Sequence, residues 1–280
     1  MKTVITILAE NSISKPGIIG EHGFSVLIEK GDEKILFDTG PGMSLPHNLK
    51  VLGKNLNGLS RVIISHGHHD HTGGLKWVIQ QVREVEVVAH PAIFSRHMAF
   101  DREDPGKPPQ YKGCPNTQEE LESLGATFNF IDHTEKVASG LWFITGIDRL
   151  PDQIPDDPRL IIPEGGQLVP DLIKDDASLL LECEDSPVLI LGCAHSGVLN
   201  ILDHVRDKMG IGKLQAILGG THLMFCSVTD IPRVIDKLEG FSIDLVGVSH
   251  CTGWQAVIEL AKHFGARFVM ASAGTVFHFL

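Results

Sequence analysis

The 280 residues carry 24 Lys and Arg against 35 Asp and Glu, a formal net charge of −11 with no basic stripe, which argues against binding nucleic acid by phosphate neutralisation. Their composition, 42% hydrophobic and 21% charged, is that of a globular protein large enough to bury a core without stapling. Five cysteines (Cys114, Cys183, Cys193, Cys226 and Cys251) form no Cys-x-x-Cys pair, and no apolar run reaches signal-peptide or membrane-spanning length, so the expectation is a cytoplasmic protein without disulfides or membrane contact.

The first third reads as strands. Residues 3–9, 24–30, 34–38 and 61–65 are apolar or β-branched runs, and Glu29-Lys30-Gly31-Asp32 supplies a hairpin turn between the second and third. From Leu75 the period changes, because Leu75, Val78, Ile79 and Val82 mark one face of a helix. A strand at 86–90 precedes a polar, proline-bearing excursion at about 95–116, where Arg96, Arg102, Lys107, Lys112 and Tyr111 are exposed groups or substrate contacts. Thr117-Gln118-Glu119-Glu120 is a capping box for a short helix ending at Gly125, with strands at 127–131 and 141–145 beyond it. Five prolines within 146–176 predict a second excursion. The first pattern then returns, with strands at 178–183, 188–192, 214–219, 245–249 and 267–271 and helices at 198–209, 231–239 and 255–264. Asp230 is the expected cap of the second of these helices, with Pro232 in its first turn. Two strand-rich halves with helices at corresponding places predict an α/β chain, two sheets sandwiched between helices, in one domain spanning 1–280.

The 15 histidines are the clear excess, and four of them fall in Ser65-His66-Gly67-His68-His69-Asp70-His71-Thr72-Gly73-Gly74, between a strand and a helix. Burying so many hydration-seeking groups together is costly unless something pairs them, and a shared cation does so. His66 and His68, two apart, project to the same side and suit one ion; Asp70 and His71 suit a second. Nitrogen and carboxylate donors without thiolate favour zinc, one or two ions, with iron and manganese next. One loop cannot complete two sites, so further donors are sought at other strand ends: His195 in Gly192-Cys193-Ala194-His195, His222 in Gly219-Gly220-Thr221-His222 and His250 in Ser249-His250-Cys251. Asp38 either orients a ligand or forms a turn. Cys193 and Cys251 read as packing thiols. His69 is a spacer, placed for structure or substrate contact.

These motifs resemble the metallo-β-lactamase superfamily. The resemblance implies an αββα sandwich of two mixed sheets, with His66, His68 and His195 on a first metal and Asp70, His71 and His250 on a second. Asp38 matches the early Asp-x-Gly element. Glu10-Asn11, Glu21-His22-Gly23, Asp175-Asp176, Gly192-Cys193-Ala194-His195-Ser196-Gly197 and His250-Cys251-Thr252-Gly253 are similar to the dihydropteroate-synthase-like branch, whose characterised archaeal member joins a dihydropterin pyrophosphate to a ribosylaminobenzene phosphate. On that resemblance Glu21 and His22 belong to the pocket. His222 departs from the superfamily, standing where a bridging Asp is usual; a neutral imidazole cannot bridge two ions, which leaves terminal ligand, acid/base group or phosphate contact.

The implied reaction is hydrolysis of an ester or phosphoester-type bond by a metal-bound hydroxide. The alternative is the branch's transferase chemistry, in which an arylamine displaces pyrophosphate behind closed loops. A mononuclear iron dioxygenase ranks below both. The expected partner is a small anionic molecule, and the oligomeric state is open.

Overall fold

The computed structural model describes residues 2–104, 106–155 and 157–280, so Pro105 and Asp156, within the two expected excursions, lie outside the described residues. Two seven-stranded mixed sheets face each other. The first runs, in spatial order, Val276–Phe279, Thr3–Ala9, Ser25–Lys30, Glu33–Phe37, Arg61–Ile63, Val85–Ala89 and Ala126–Phe130. The second runs Phe268–Met270, Leu245–Ser249, Ala216–Gly220, Val188–Leu191, Ser178–Leu181, Leu141–Ile144 and Glu135–Ala138.

Side-chain alternation along the strands creates four layers. Ile35 and Phe37 point between the sheets, where they meet Phe143, Leu179, Leu181, Val188 and Ile190. Leu36, between Ile35 and Phe37, instead packs outward with Leu45, Leu49, Leu75, Val78 and Ile79 of the helices Ser44–Val51 and Leu75–Val82. In the second sheet Leu180, Leu189 and Leu191 face Val198–Asp207, Ile231–Glu239 and Trp254–Phe264. Because both faces of each sheet are buried, the strands read as near-continuous apolar runs. The result is the αββα sandwich expected from the sequence. No helix among the described residues is long and apolar enough to cross a membrane.

Several elements differ from the reading above. Residues Ser44–Val51 form a helix although Pro46 interrupts them, since a proline in the first turn removes no helical hydrogen bond. Asp230 does not cap Ile231–Glu239: its own backbone is helical and its carboxylate accepts from the Ser227 N–H at 3.2 Å. The two excursions pair with each other instead of remaining irregular. Gln167–Pro170, Leu160–Glu164, Met98–Ala99 and Gln110–Tyr111 form a small third sheet, with Met98 opposite Ile161 and Ala99 opposite Leu160. This small sheet lies beside the carboxyl ends of the main strands.

Candidate metal centre

The carboxyl ends of the parallel strands gather at one edge of the sandwich, where loops leave a sheet and backbone is free to present side chains. His66 and His68 follow Arg61–Ile63, Asp70 and His71 lie on the short helix His69–Thr72, and His195, His222 and His250 follow three strands of the second sheet. All seven are at most 9% exposed. Asp38, Ala194, His222 and His250 have φ between 51° and 58°, an unfavourable region for side-chain-bearing residues, and together they border this edge.

Two donor sets result. His66 Nε2 and His68 Nδ1 are 3.0 Å apart, and with His195 they form one compact buried group. His71 Nε2 and His250 Nε2 are 3.3 Å apart, and Asp70 Oδ2 lies 3.3 Å from His250 and 3.9 Å from His71. Two nitrogens on one tetrahedral zinc stand roughly 3.3 Å apart, so these spacings are compatible with donors that could share an ion. His195 Nε2, His68 Nε2 and both ring nitrogens of His222 are buried without a hydrogen-bond partner among the described residues. Buried nitrogens left unpaired within such a cluster could be satisfied by a divalent cation.

The electrostatics favour neutral first-set imidazoles and an ionised Asp70. Burial, then His71 and its neighbours, hold His66 well below the ordinary imidazole range; burial and His222 do the same for His195, and burial brings His68 to about 4. These rings therefore carry free lone pairs at neutral pH. Burial opposes the charge on Asp70, but His71 and His250 outweigh it and keep its carboxyl well below the usual range. Burial also opposes a proton on His71, yet Asp38 and Asp70 prevail and raise it to about 9.

Four buried carboxylates outside the donor sets hold the loops. Asp38 accepts the Ser65 N–H and hydroxyl and the His71 Nδ1–H, each at 2.7 Å, which aims His71 Nε2 at the site. The Gly67 N–H donates to Asp175 at 2.6 Å. Asp176 accepts the N–H groups of His195 and Ser196 at 3.0 and 2.9 Å. Glu10 accepts the His250 N–H at 2.7 Å, while Asn11 Oδ1 meets His250 Nδ1 at 2.9 Å. His97 wedges behind His68, its Nδ1 2.6 Å from Asp171, and the two acids Asp171 and Asp175 override burial to raise it to about 10. Sequence reasoning assigned no role to Glu10, Asp175, Asp176 or His97. The acids were visible as parts of family-like motifs, whereas nothing in the chain marks His97.

A pocket of about 430 Å³ opens over these donors, lined by His22, His222, Phe225, Arg102, Lys112 and Arg159 among others. His22 Nε2 is 3.4 Å from Asp70 Oδ2 and outside the buried set, its side chain 69% exposed. Glu21 does not line it: its carboxylate accepts the Ser44 N–H at 2.7 Å and so starts a helix. His69 is exposed and its N–H donates to the Lys112 carbonyl at 2.8 Å.

A sequence model of the metallo-beta-lactamase superfamily matches residues 18–235. The chain belongs to that superfamily. It is 28% identical over 271 residues to the 7,8-dihydropterin-6-methyl-4-(beta-D-ribofuranosyl)-aminobenzene-5'-phosphate synthase of Methanocaldococcus jannaschii, covering 92% of this chain and 90% of that protein. It is also 28% identical, over 261 residues, to an uncharacterized protein of the same organism, covering 92% and 94%. Among solved structures, Tm1679, a metal-dependent hydrolase of the beta-lactamase superfamily, matches with a TM-score of 0.84 at 26% identity over 98% of both chains. YhfI of Bacillus subtilis, at 12% identity and a TM-score of 0.57 over 98% of this chain and 99% of its own, shows the shared superfamily fold alone.

Proposed function

We propose that this superfamily member is a metal-dependent hydrolase of an ester or phosphoester-type bond in a small anionic substrate, with zinc the favoured ion. The observation that carries this reading is the convergence of two nitrogen and carboxylate donor sets under a pocket whose lining includes Arg102, Lys112 and Arg159 beside Asp101 and Asp157. His66, His68 and His195 would hold one ion and Asp70, His71 and His250 a second. Divalent ions there supply Lewis acidity, polarising the electrophile and activating water near neutral pH.

The chain's own residues do the rest. Arg159 is fixed by Asp157, with Nε and Nη2 each 2.7 Å from a carboxylate oxygen, and its guanidinium lies 5.1 Å from the Phe225 ring centroid. A clamped guanidinium loses little freedom when it meets an anion. Arg102 and Lys112 add positive charge to the same pocket. His222, held against His195 and Phe225 with both ring nitrogens unpaired among the described residues, would move a proton, contact a phosphate oxygen or serve as a terminal ligand.

The second reading is a transferase that joins a dihydropterin pyrophosphate to an arylamine with loss of pyrophosphate. The resemblance to the archaeal synthase over nine-tenths of both chains favours it. The small sheet beside the pocket would then restrict water.

Incubating zinc-loaded protein with a panel of esters and phosphodiesters, and separately with 6-hydroxymethyl-dihydropterin pyrophosphate and an arylamine, tests both. Phosphodiester or ester turnover abolished by His66→Ala and His195→Ala is the expected result. A condensed pterin product would replace the hydrolase reading with the transferase, and turnover that survives both substitutions would overturn the metal-dependent reading.

A further inference from the structure

Cys193 belongs to neither donor set, yet its sulfur lies between them. The residue is 3% exposed and its Sγ stands 3.2 Å from His71 Nε2. Its Sγ groups within 4.8 Å with His66 and His71, with His195 and His222, and with His250 and Cys251. No other residue among those described takes part in three such groups. A thiol that merely fills a gap packs against carbon, whereas here ring nitrogens of both sets surround it. Nitrogen and sulfur donors on one tetrahedral zinc stand roughly 3.6 Å apart, so the 3.2 Å separation from His71 is within a few tenths of an ångström of a shared ion.

Charge points the same way. The two donor sets contain one carboxylate, Asp70, and five imidazoles, each of which binds a metal only in its neutral form, His71 having to give up the proton that Asp38 and Asp70 favour. Two divalent ions would leave the buried cluster at a formal charge of about +3, and a thiolate would lower it to about +2. Imidazole presents one lone pair to a metal and cannot be shared between two ions, while a thiolate sulfur has lone pairs for both. His222, whose ring centroid stands 4.2 Å from that of His195, is itself an imidazole.

We propose that Cys193 is a metal ligand whose thiolate bridges an ion held by His66, His68 and His195 and an ion held by Asp70, His71 and His250. The proposal rests on the metal-centre reading of the same site. On coordination the thiol proton leaves to solvent, and no oxidant or reductant is needed. Cys251, whose Sγ–H donates to the Cys193 carbonyl at 3.4 Å, takes part in one such group only, with Cys193 and His250, and is the control for the bridge.

Cobalt(II) substitution reads the sulfur directly, because thiolate ligation gives an intense near-ultraviolet charge-transfer band that nitrogen and oxygen ligands lack. Full-length wild-type protein loaded with cobalt should show the band, Cys251→Ser should keep it, and Cys193→Ser should lose it while still binding cobalt by elemental analysis. X-ray absorption of zinc-loaded wild type should place sulfur at about 2.3 Å from the metal, a measurement that needs no variant. Bound cobalt without the band, a band that survives in Cys193→Ser, or one lost only in Cys251→Ser would overturn the bridge and leave the metal centre standing. Wild type that takes up no cobalt would overturn the metal centre, and the bridge with it.

Discussion

Replacing Asp176 with Ala would strip the N–H groups of His195 and Ser196 of their acceptor while touching no donor atom. Leaving buried N–H groups unpaired costs about 1–3 kcal/mol each, and here the cost falls on the loop that aims His195. Asp176→Ala is therefore expected to lower zinc affinity about 10–100-fold, with Asp176→Asn, which keeps one oxygen acceptor, in between. Competition with a chromogenic chelator measures this, and unchanged affinity in the Ala variant would remove Asp176 from the account. Arg159→Ala is expected to raise KM about tenfold or more on the substrate that the panel identifies, with little change in kcat; an equal fall in kcat alone would assign Arg159 to the chemistry instead. At this scale the sequence revealed donors that sit together, such as His66 to His71. Of the carboxylates that hold them, Asp38 was anticipated as orienting a ligand, whereas Glu10 and Asp175 stayed unassigned because their partners are distant, 240 residues in the case of Glu10 and His250 and 108 in that of Asp175 and Gly67, and Asp176 because it grips backbone N–H groups, which no residue type marks.

Among the elements, the loop after Arg61–Ile63 is shaped by close approach to the turn Pro91–Phe94. A Cβ on Gly67 would stand 2.1 Å from the Ile93 carbonyl oxygen, with His97 also within 3.2 Å. Gly67→Ala must push His66 and His68 off their positions, so it is expected to fold with wild-type far-ultraviolet circular dichroism and to bind zinc at least tenfold more weakly. Wild-type affinity in a folded Gly67→Ala protein would show that the loop tolerates the shift. The main strands and most helices were legible because burial on both faces writes apolar runs of the right length into the chain. The small sheet was not. Met98–Ala99 and Gln110–Tyr111 are two residues each and find partners some 60 residues away or across an irregular turn, so no local period marks them. Likewise Val276–Phe279 pairs with Thr3–Ala9 from the opposite end of the chain, which only the folded molecule makes apparent.

Across the whole molecule, the two donor sets draw on both sheets: His66, His68, Asp70 and His71 come from the first, His195 and His250 from the second. Bound ions would thus tie the layers together at one edge, while Phe24, Phe37 and Phe143 join them through the middle. An ion at a hundredfold excess over its Kd adds about 2.7 kcal/mol to stability. Chelation should accordingly lower Tm by about 5 °C for a chain of this size, restored by added zinc. Phe143→Ala should cost about 3–5 kcal/mol without altering the metal content of the folded protein, because the cavity lies between the sheets and not at their edge. A chelator-insensitive Tm would contradict the cross-sheet tie. The central claim, that this edge is a metal centre built from both halves of the chain, is tested most directly by elemental analysis of zinc-loaded, gel-filtered protein. One to two ions per wild-type chain, lost in His66→Ala and in His195→Ala, is the predicted result; wild type without bound metal, or both variants with the full complement, would contradict it.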